Sequence, residues 1–277
     1  MSRQIAGDLS VLTVGGIALV DYIQNATYTL DVDKVEGRSI AYPGRSARAV
    51  KKGASIRASV MSSNGDTCNN RITNLDVSGL TIDGTAYESM LRGGTFTGEF
   101  TVAQAAPVGS FWRFPYIVAK DYSATVDLML PLSATANADR LIGADIHSSS
   151  AEDLCMTFIL TIDGVAYELP MLITKIEEKL TDDDINIYTV DLVGKSPASD
   201  SGYPTTPSGT TTLLEKAFND PFTALAFTFT PYAAAGKGTS KTGNLIFNGF
   251  SFNFDDQKII AIDYTFLSQG AVTQTNL

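Results

Sequence analysis

The chain has 277 residues, 44% of them hydrophobic and 18% charged, so it holds enough apolar material for one large or two medium cores and is too uncharged for a disordered chain. Lys and Arg number 20 against 30 Asp and Glu, and the net charge of −10 argues against a surface built mainly to grip phosphates. Cys68 and Cys155 are the only cysteines, which excludes a disulfide framework or a cysteine-rich zinc site within one chain; packed free thiols and a Cys68–Cys155 bridge both stay open.

The first apolar run, LSVLTVGGIALV from Leu9 to Val20, is too short for a membrane helix, which needs about 20 residues, and no cleavage pattern follows it. Its central Gly15-Gly16 predicts two strands around a tight turn, in a soluble and unprocessed chain. Alternation then dominates. In TYTLDVD, Tyr28, Leu30 and Val32 fall on one side of a strand and Thr27, Thr29, Asp31 and Asp33 on the other. No acid stands between Glu36 and Asp66, while Arg38, Arg45, Arg48, Lys51, Lys52 and Arg57 do, which predicts a basic loop on an acidic molecule. Such a loop either simply collects surface charge or meets an acidic face of another copy, a head-to-tail contact that can propagate.

LTIDGTAYE, Leu80 to Glu88, returns as LTIDGVAYE, Leu160 to Glu168. Asp-Gly suits a two-residue type I′ turn, so each copy is predicted to be a hairpin tip; either a duplication or the small vocabulary of hairpins explains the recurrence. Phe96, Phe100 and Val102 oppose Thr95, Thr97, Glu99 and Thr101 in the next strand, and Val126, Leu128, Leu130 and Leu132 share a face in another. SFWRFPY, Ser110 to Tyr116, is the one dense aromatic cluster. The small polar stretch Ser133 to Asp153 reads as a domain junction, with a weak helix signal at Asn137 to Leu141, and Lys195 to Thr212, rich in Pro, Ser, Thr and Gly, reads as a long exposed loop. Thr212-Leu-Leu-Glu215 is a capping box, and Pro221 closes the short helix it predicts over Leu213 to Asn219. The C-terminal FSFNFDDQKIIAIDYTF predicts a hairpin with one apolar face.

A search for chemistry yields no site. His147, the only histidine, lies beside Ser148 to Ser150 and Asp145 on one loop, where a triad's geometry is not assembled. AGKGTSKTG, Ala235 to Gly243, misses the phosphate-loop spacing, and Asp182 to Asp184 lack a calcium loop's glycine. No catalytic, cofactor-binding or metal-binding residue is assigned, and an enzyme is the weaker expectation.

The N-terminal hairpin SVLTVGGIALV, the long strand ATYTLDVDKVEG, the basic RSARAVKKGASIRASV and the closing pair GNLIFNGFSFNFDDQKIIAIDYTFLSQGA together resemble the major tail tube proteins of tailed bacteriophages. The resemblance implies a mainly β fold, a tail-tube-like β-sandwich or barrel with a short flanking helix, as one enlarged domain or as two tandem tube domains, 1–140 and 141–277. It implies a structural virion protein of the tail, forming trimeric or hexameric rings stacked into a conduit for DNA ejection. Tape-measure protein and transiting DNA would occupy the lumen; tail terminator, baseplate or sheath proteins would be further partners, and no membrane is involved. By the same resemblance Arg38, Arg45, Arg48, Lys51 and Lys52 would stack rings, Thr27, Thr29, Asp31 and Asp33 would face the lumen, and Tyr28, Leu30 and Val32 would be buried against their own domain. A carbohydrate-binding or adhesive β-sandwich is the alternative, for which an exposed aromatic cluster would be needed.

Overall fold

The structure is a computed structural model, and it describes residues 11–19, 23–39, 42–61, 75–82, 84–105, 107, 109–131, 155–180, 185–194, 212–231, 239–255 and 258–276. His147, Cys68, Asp182 to Asp184 and the Asn137 to Leu141 helix signal lie outside them, as do the side chains of Cys155, Arg38, Arg45 and Arg48. Among the described residues no helix is long and apolar enough to cross a membrane, and no group of acids, histidines or cysteines could hold a metal ion.

The fold is mainly β. Strands β1 (Val11–Val14) and β2 (Ile17–Ala18) flank the Gly15-Gly16 turn, where both residues have the positive φ that the turn requires. β3 (Ile23–Ser39) and β4 (Tyr42–Met61) form a hairpin of 17 and 20 residues. They are followed by β5 (Leu75–Ile82), β6 (Thr85–Ala86), β7 (Leu91–Ala105) and β8 (Phe114–Pro131). Then come β9 (Cys155–Ile162), β10 (Val165–Leu180), β11 (Ile185–Gly194), helix α1 (Leu213–Asn219), β12 (Leu225–Thr230), β13 (Thr239–Asp255), β14 (Lys258–Ser268) and β15 (Thr273–Asn276).

All of these strands belong to one antiparallel sheet, in the order β2-β1-β12-β13-β7-β8-β11-β10-β9-β5-β14-β4-β3. The sheet folds back on itself because β13 also pairs with β14. It is not closed into a barrel of full-length ladders, since β5 meets β14 only at Lys258–Asp76 and Ile259–Leu75. The inner positions of these strands, among them Phe96, Tyr122, Val126, Phe158, Val190, Phe252 and Phe266, form one buried cluster.

That arrangement does not follow the expected division at residue 140. Strands from the two halves interleave, with β5 on β9, β8 on β11, β7 on β13 and β4 on β14. The polar stretch after β8 therefore joins strands of one shared core rather than two cores. The repeated phrase explains part of the interleaving. β5 and β9 are antiparallel neighbours, and Leu80 pairs with Leu160, so the two copies face each other across a local pseudo-two-fold axis. Asp163 and Gly164 have φ of 50° and 77°, and Gly84 has 78°, as Asp-Gly turns demand. Each outgoing segment returns a buried tyrosine, Tyr87 or Tyr167, to the core. Beyond these tips the symmetry stops, because Tyr87 leads into a one-turn 3-10 helix while Tyr167 continues along β10.

Helix α1 lies where the capping box places it. Thr212 Oγ1 accepts from the Glu215 N–H at 3.1 Å and Glu215 Oε2 accepts from the Thr212 N–H at 3.1 Å. The helix inserts Phe218 among Tyr167, Phe250, Tyr122 and Phe96, with ring centroids 4.7 to 5.6 Å away. On its other side Lys216 Nζ donates to the Gly15 carbonyl at 2.7 Å, tying the first turn to the body.

Candidate assembly surface

The β3–β4 hairpin reaches beyond the sheet that supports it. β4 pairs with β14 only from Ser55 to Met61, while its pairing with β3 continues to Ser39–Tyr42. β3 pairs with β4 alone and ends the strand order, so its second edge has no neighbour among the described residues. A long open edge of this kind is a template for another strand.

Where β14 ends, the segment before β8 takes over and clamps the base of the arm. The Lys52 N–H donates to the Phe111 carbonyl at 2.7 Å, and the Arg113 N–H donates to the Lys52 carbonyl at 2.9 Å. Lys51 Nζ donates to the Ser110 carbonyl at 2.6 Å, the Ala54 N–H donates to Ser268 Oγ at 2.9 Å, and the Arg113 guanidinium pairs with the Asp33 carboxylate. Arg113 lies over Gly53, where a Cβ would stand 3.2 Å from its Cδ. The basic run is therefore strand rather than loop: Arg38 and Arg45 occupy directly opposite positions, Arg48 faces Val35, and Lys51 and Lys52 sit at the clamp.

The two faces of the arm differ. Tyr28 is half-buried, stacked on Phe229 with ring centroids 6.3 Å apart and with Lys241 Nζ 5.0 Å from its own centroid. Leu30 and Val32 continue the same face, but they are 49% and 45% exposed, contrary to the expectation that their own domain would bury them. The physical reason is the length of the arm, which carries them past the layer that covers Tyr28. Thr27, Thr29, Asp31 and Asp33 are exposed on the opposite face.

That polar face continues onto the body. Reading across β3, β4, β14, β13, β7 and β8, one row of register partners is Asn25, Ser59, Asp263, Ser251, Thr97 and Ser123. The next row is Thr27, Arg57, Thr265, Gly249, Glu99 and Asp121. With strands about 4.8 Å apart, this hydroxyl- and carboxylate-rich surface is on the order of 24 Å wide. A shallow depression of about 360 Å³ lies within it at Gly249, walled by Glu99, Asp263, Asn248 and Thr265. Period-2 alternation revealed the polar set of each strand, but the register that joins them into one surface is a tertiary property.

At one end of the same face stands the aromatic cluster. Phe111, Phe114 and Tyr116 are 64%, 37% and 49% exposed, and Val118 is 53% exposed where β8 has an extra residue against β7. Half-buried packing therefore does not account for the cluster.

No protein-family model matches the chain, and no curated protein does. Among solved structures, one chain of "Virion of native gene transfer agent (GTA) particle" is similar over 53% of this chain and 100% of its own, at 13% identity and a TM-score of 0.35. A likeness of that size says nothing about function, which has to be read from the residues themselves.

Proposed function

We propose that this chain is a structural protein of a phage-like virion that polymerises into stacked rings, forming the tail tube through which DNA leaves. The observation that carries the reading is β3: 17 residues paired along one side only, wettable on one face and unburied on the other. A strand with an open edge completes its ladder with a neighbour, and a ring of such neighbours encloses a bore. The surface running from Thr27 and Asp31 to Glu99 and Asp121 supports a lumen role, because carboxylates and hydroxyls repel or release DNA phosphates whereas a basic lining would grip them. Arg38, Arg45, Arg48, Lys51 and Lys52 are the ring-stacking candidates, in trimeric or hexameric rings. Tape-measure protein and then DNA occupy the lumen, terminator, baseplate or sheath proteins flank the tube, and the chain performs no catalysis.

Negative-stain microscopy of the purified protein tests this directly, with tubes or stacked rings expected. Arg45→Glu with Arg48→Glu should shorten or abolish them, and undiminished tubes would remove the arm from the stacking contact. A lone monomer at high concentration would overturn the tube reading altogether. The exposed Phe111, Phe114 and Tyr116 favour a second reading, a carbohydrate-binding β-sandwich, since sugars stack on open aromatic rings. A chain that binds glycans and never polymerises would establish it.

A further inference from the structure

We infer that the receiving surface for the β3–β4 arm is the outer face of β7 and β8 on a second copy, with Leu30 and Val32 covering Phe114 and Tyr116, and Arg38 reaching Glu99 and Asp121. The inference rests on the assembly reading above and names the contact within it.

Two mismatches in the single chain point to each other. Glu99 and Asp121 are directly opposite across β7 and β8, and both are exposed, so like charges face one another without a basic residue in their row nearer than Arg57. Arg38 and Arg45 are directly opposite across β3 and β4. A like-charge cross-strand pair is unfavourable in isolation, and two pairs of opposite sign relieve one another when they meet. Apolar surface is matched in the same way: Leu30 and Val32 are half-exposed on the arm, and Phe114, Tyr116 and Val118 are exposed on the body.

The spacing agrees. By strand alternation Leu30, Val32 and Arg38 fall on one face of β3, whose register with β4 is interrupted there only by an extra residue on the β4 side. Phe114, Tyr116 and Asp121 share the outer face of β8, because the extra residue at Val118 restores their parity. Val32 to Arg38 spans six steps, about 20 Å at 3.3 Å per residue, and Phe114 to Asp121 spans about the same once that extra residue is allowed for. The depression at Gly249 beside Glu99 has room for a guanidinium head.

Docked so, the arm turns its apolar face to the neighbour and presents Thr27, Thr29, Asp31 and Asp33 outward. An aromatic island that would interrupt the hydrophilic surface is covered by an element whose back is itself hydrophilic. Within one chain the clamp at Lys52 and Arg113 directs the arm away from the body, and the occupant is therefore a second copy.

The test is a pair of measurements on the full-length chain. In a background with Cys68→Ala and Cys155→Ala, chains bearing Val32→Cys are mixed with chains bearing Tyr116→Cys, and assembled particles are treated with a short thiol crosslinker. Mixed dimers should exceed the dimers of either chain alone by about tenfold, as a heterologous contact requires. Separately, Glu99→Lys with Asp121→Lys should raise the concentration needed for assembly by about tenfold or more, and adding Arg38→Glu with Arg45→Glu should restore it. Particles that form without the mixed crosslink, or a charge reversal that leaves assembly unchanged, overturn this contact while leaving the tube reading standing. Glycan binding that competes at Tyr116 in assembled particles also overturns it. If the unsubstituted chain never assembles, both readings fall together.

Discussion

The pairing of Leu80 with Leu160 makes the repeated phrase testable in a single molecule. The two side chains are 0% and 1% exposed and occupy directly opposite positions in an antiparallel ladder. Replacing either with Ala removes about three carbon groups, roughly 2.4 kcal/mol at 0.8 kcal/mol each, and the residual cavity brings the cost to about 3–4 kcal/mol. Directly opposite residues have Cβ atoms about 4.5–5.5 Å apart, so the first truncation already removes part of what the second would lose. The double variant should therefore cost less than the sum of the singles by about 0.5–3 kcal/mol. Urea unfolding of the four chains reads this coupling, and a Leu→Val cycle gives the same sign at smaller size if the double-Ala chain is too unstable. Additivity within about 0.3 kcal/mol would mean that the two phrases are not neighbours, and the pseudo-two-fold would be wrong.

Two further outcomes are expected. Thr212→Ala removes the acceptor of the Glu215 N–H and should cost about 1 kcal/mol in thermal or chemical unfolding, while Thr212→Ser, which keeps an oxygen there, should cost a few tenths. Stability should also fall on the alkaline side. Burial, aided for Tyr167 by the nearby Glu215 and Asp163 carboxylates, raises the Tyr264 and Tyr167 hydroxyls well above the usual tyrosine value near 10. Above that value the unfolded chain loses these protons while the folded chain keeps them, so each tyrosine withdraws about 1.4 kcal/mol per pH unit. The contribution is whole below about pH 10 and declines above it; Tyr264→Phe should flatten the decline, and melting temperatures across that range that do not change with pH would contradict the burial.

Features governed by neighbours in sequence were legible without a structure. The capping box needs only Thr212 and Glu215, and the Gly15-Gly16 and Asp163-Gly164 turns need only residues that tolerate positive φ. The alternating strands also emerged with the correct faces, from Phe96 and Phe100 inward to Thr97 and Glu99 outward. What alternation could not supply was the identity of each face's partner. Leu30 and Val32 have the same pattern as Tyr28, yet only Tyr28 has Phe229 against it. Similarly, the polar stretch after β8 has the composition of a domain junction, and only the pairing of β8 with β11 shows that the chain on its far side returns to the same core.

The same limit explains why the assembly surface was half visible. Thr27, Thr29, Asp31 and Asp33 could be singled out because they alternate along one strand, whereas their continuation through Thr265 and Glu99 depends on strands more than 60 residues away in sequence. Once those strands are aligned, the molecule has a buried core with ordinary aromatic packing and, outside it, a row of features that a lone chain leaves unsatisfied: an open 17-residue edge, a wet apolar stripe and opposed like charges. Each is unfavourable or idle in a monomer and each is removed by contact with another strand of complementary character. Features of that kind persist in a folded chain at little cost when the folded chain is not the final state, which is why the search for function leads to the arm rather than to the depression or the core.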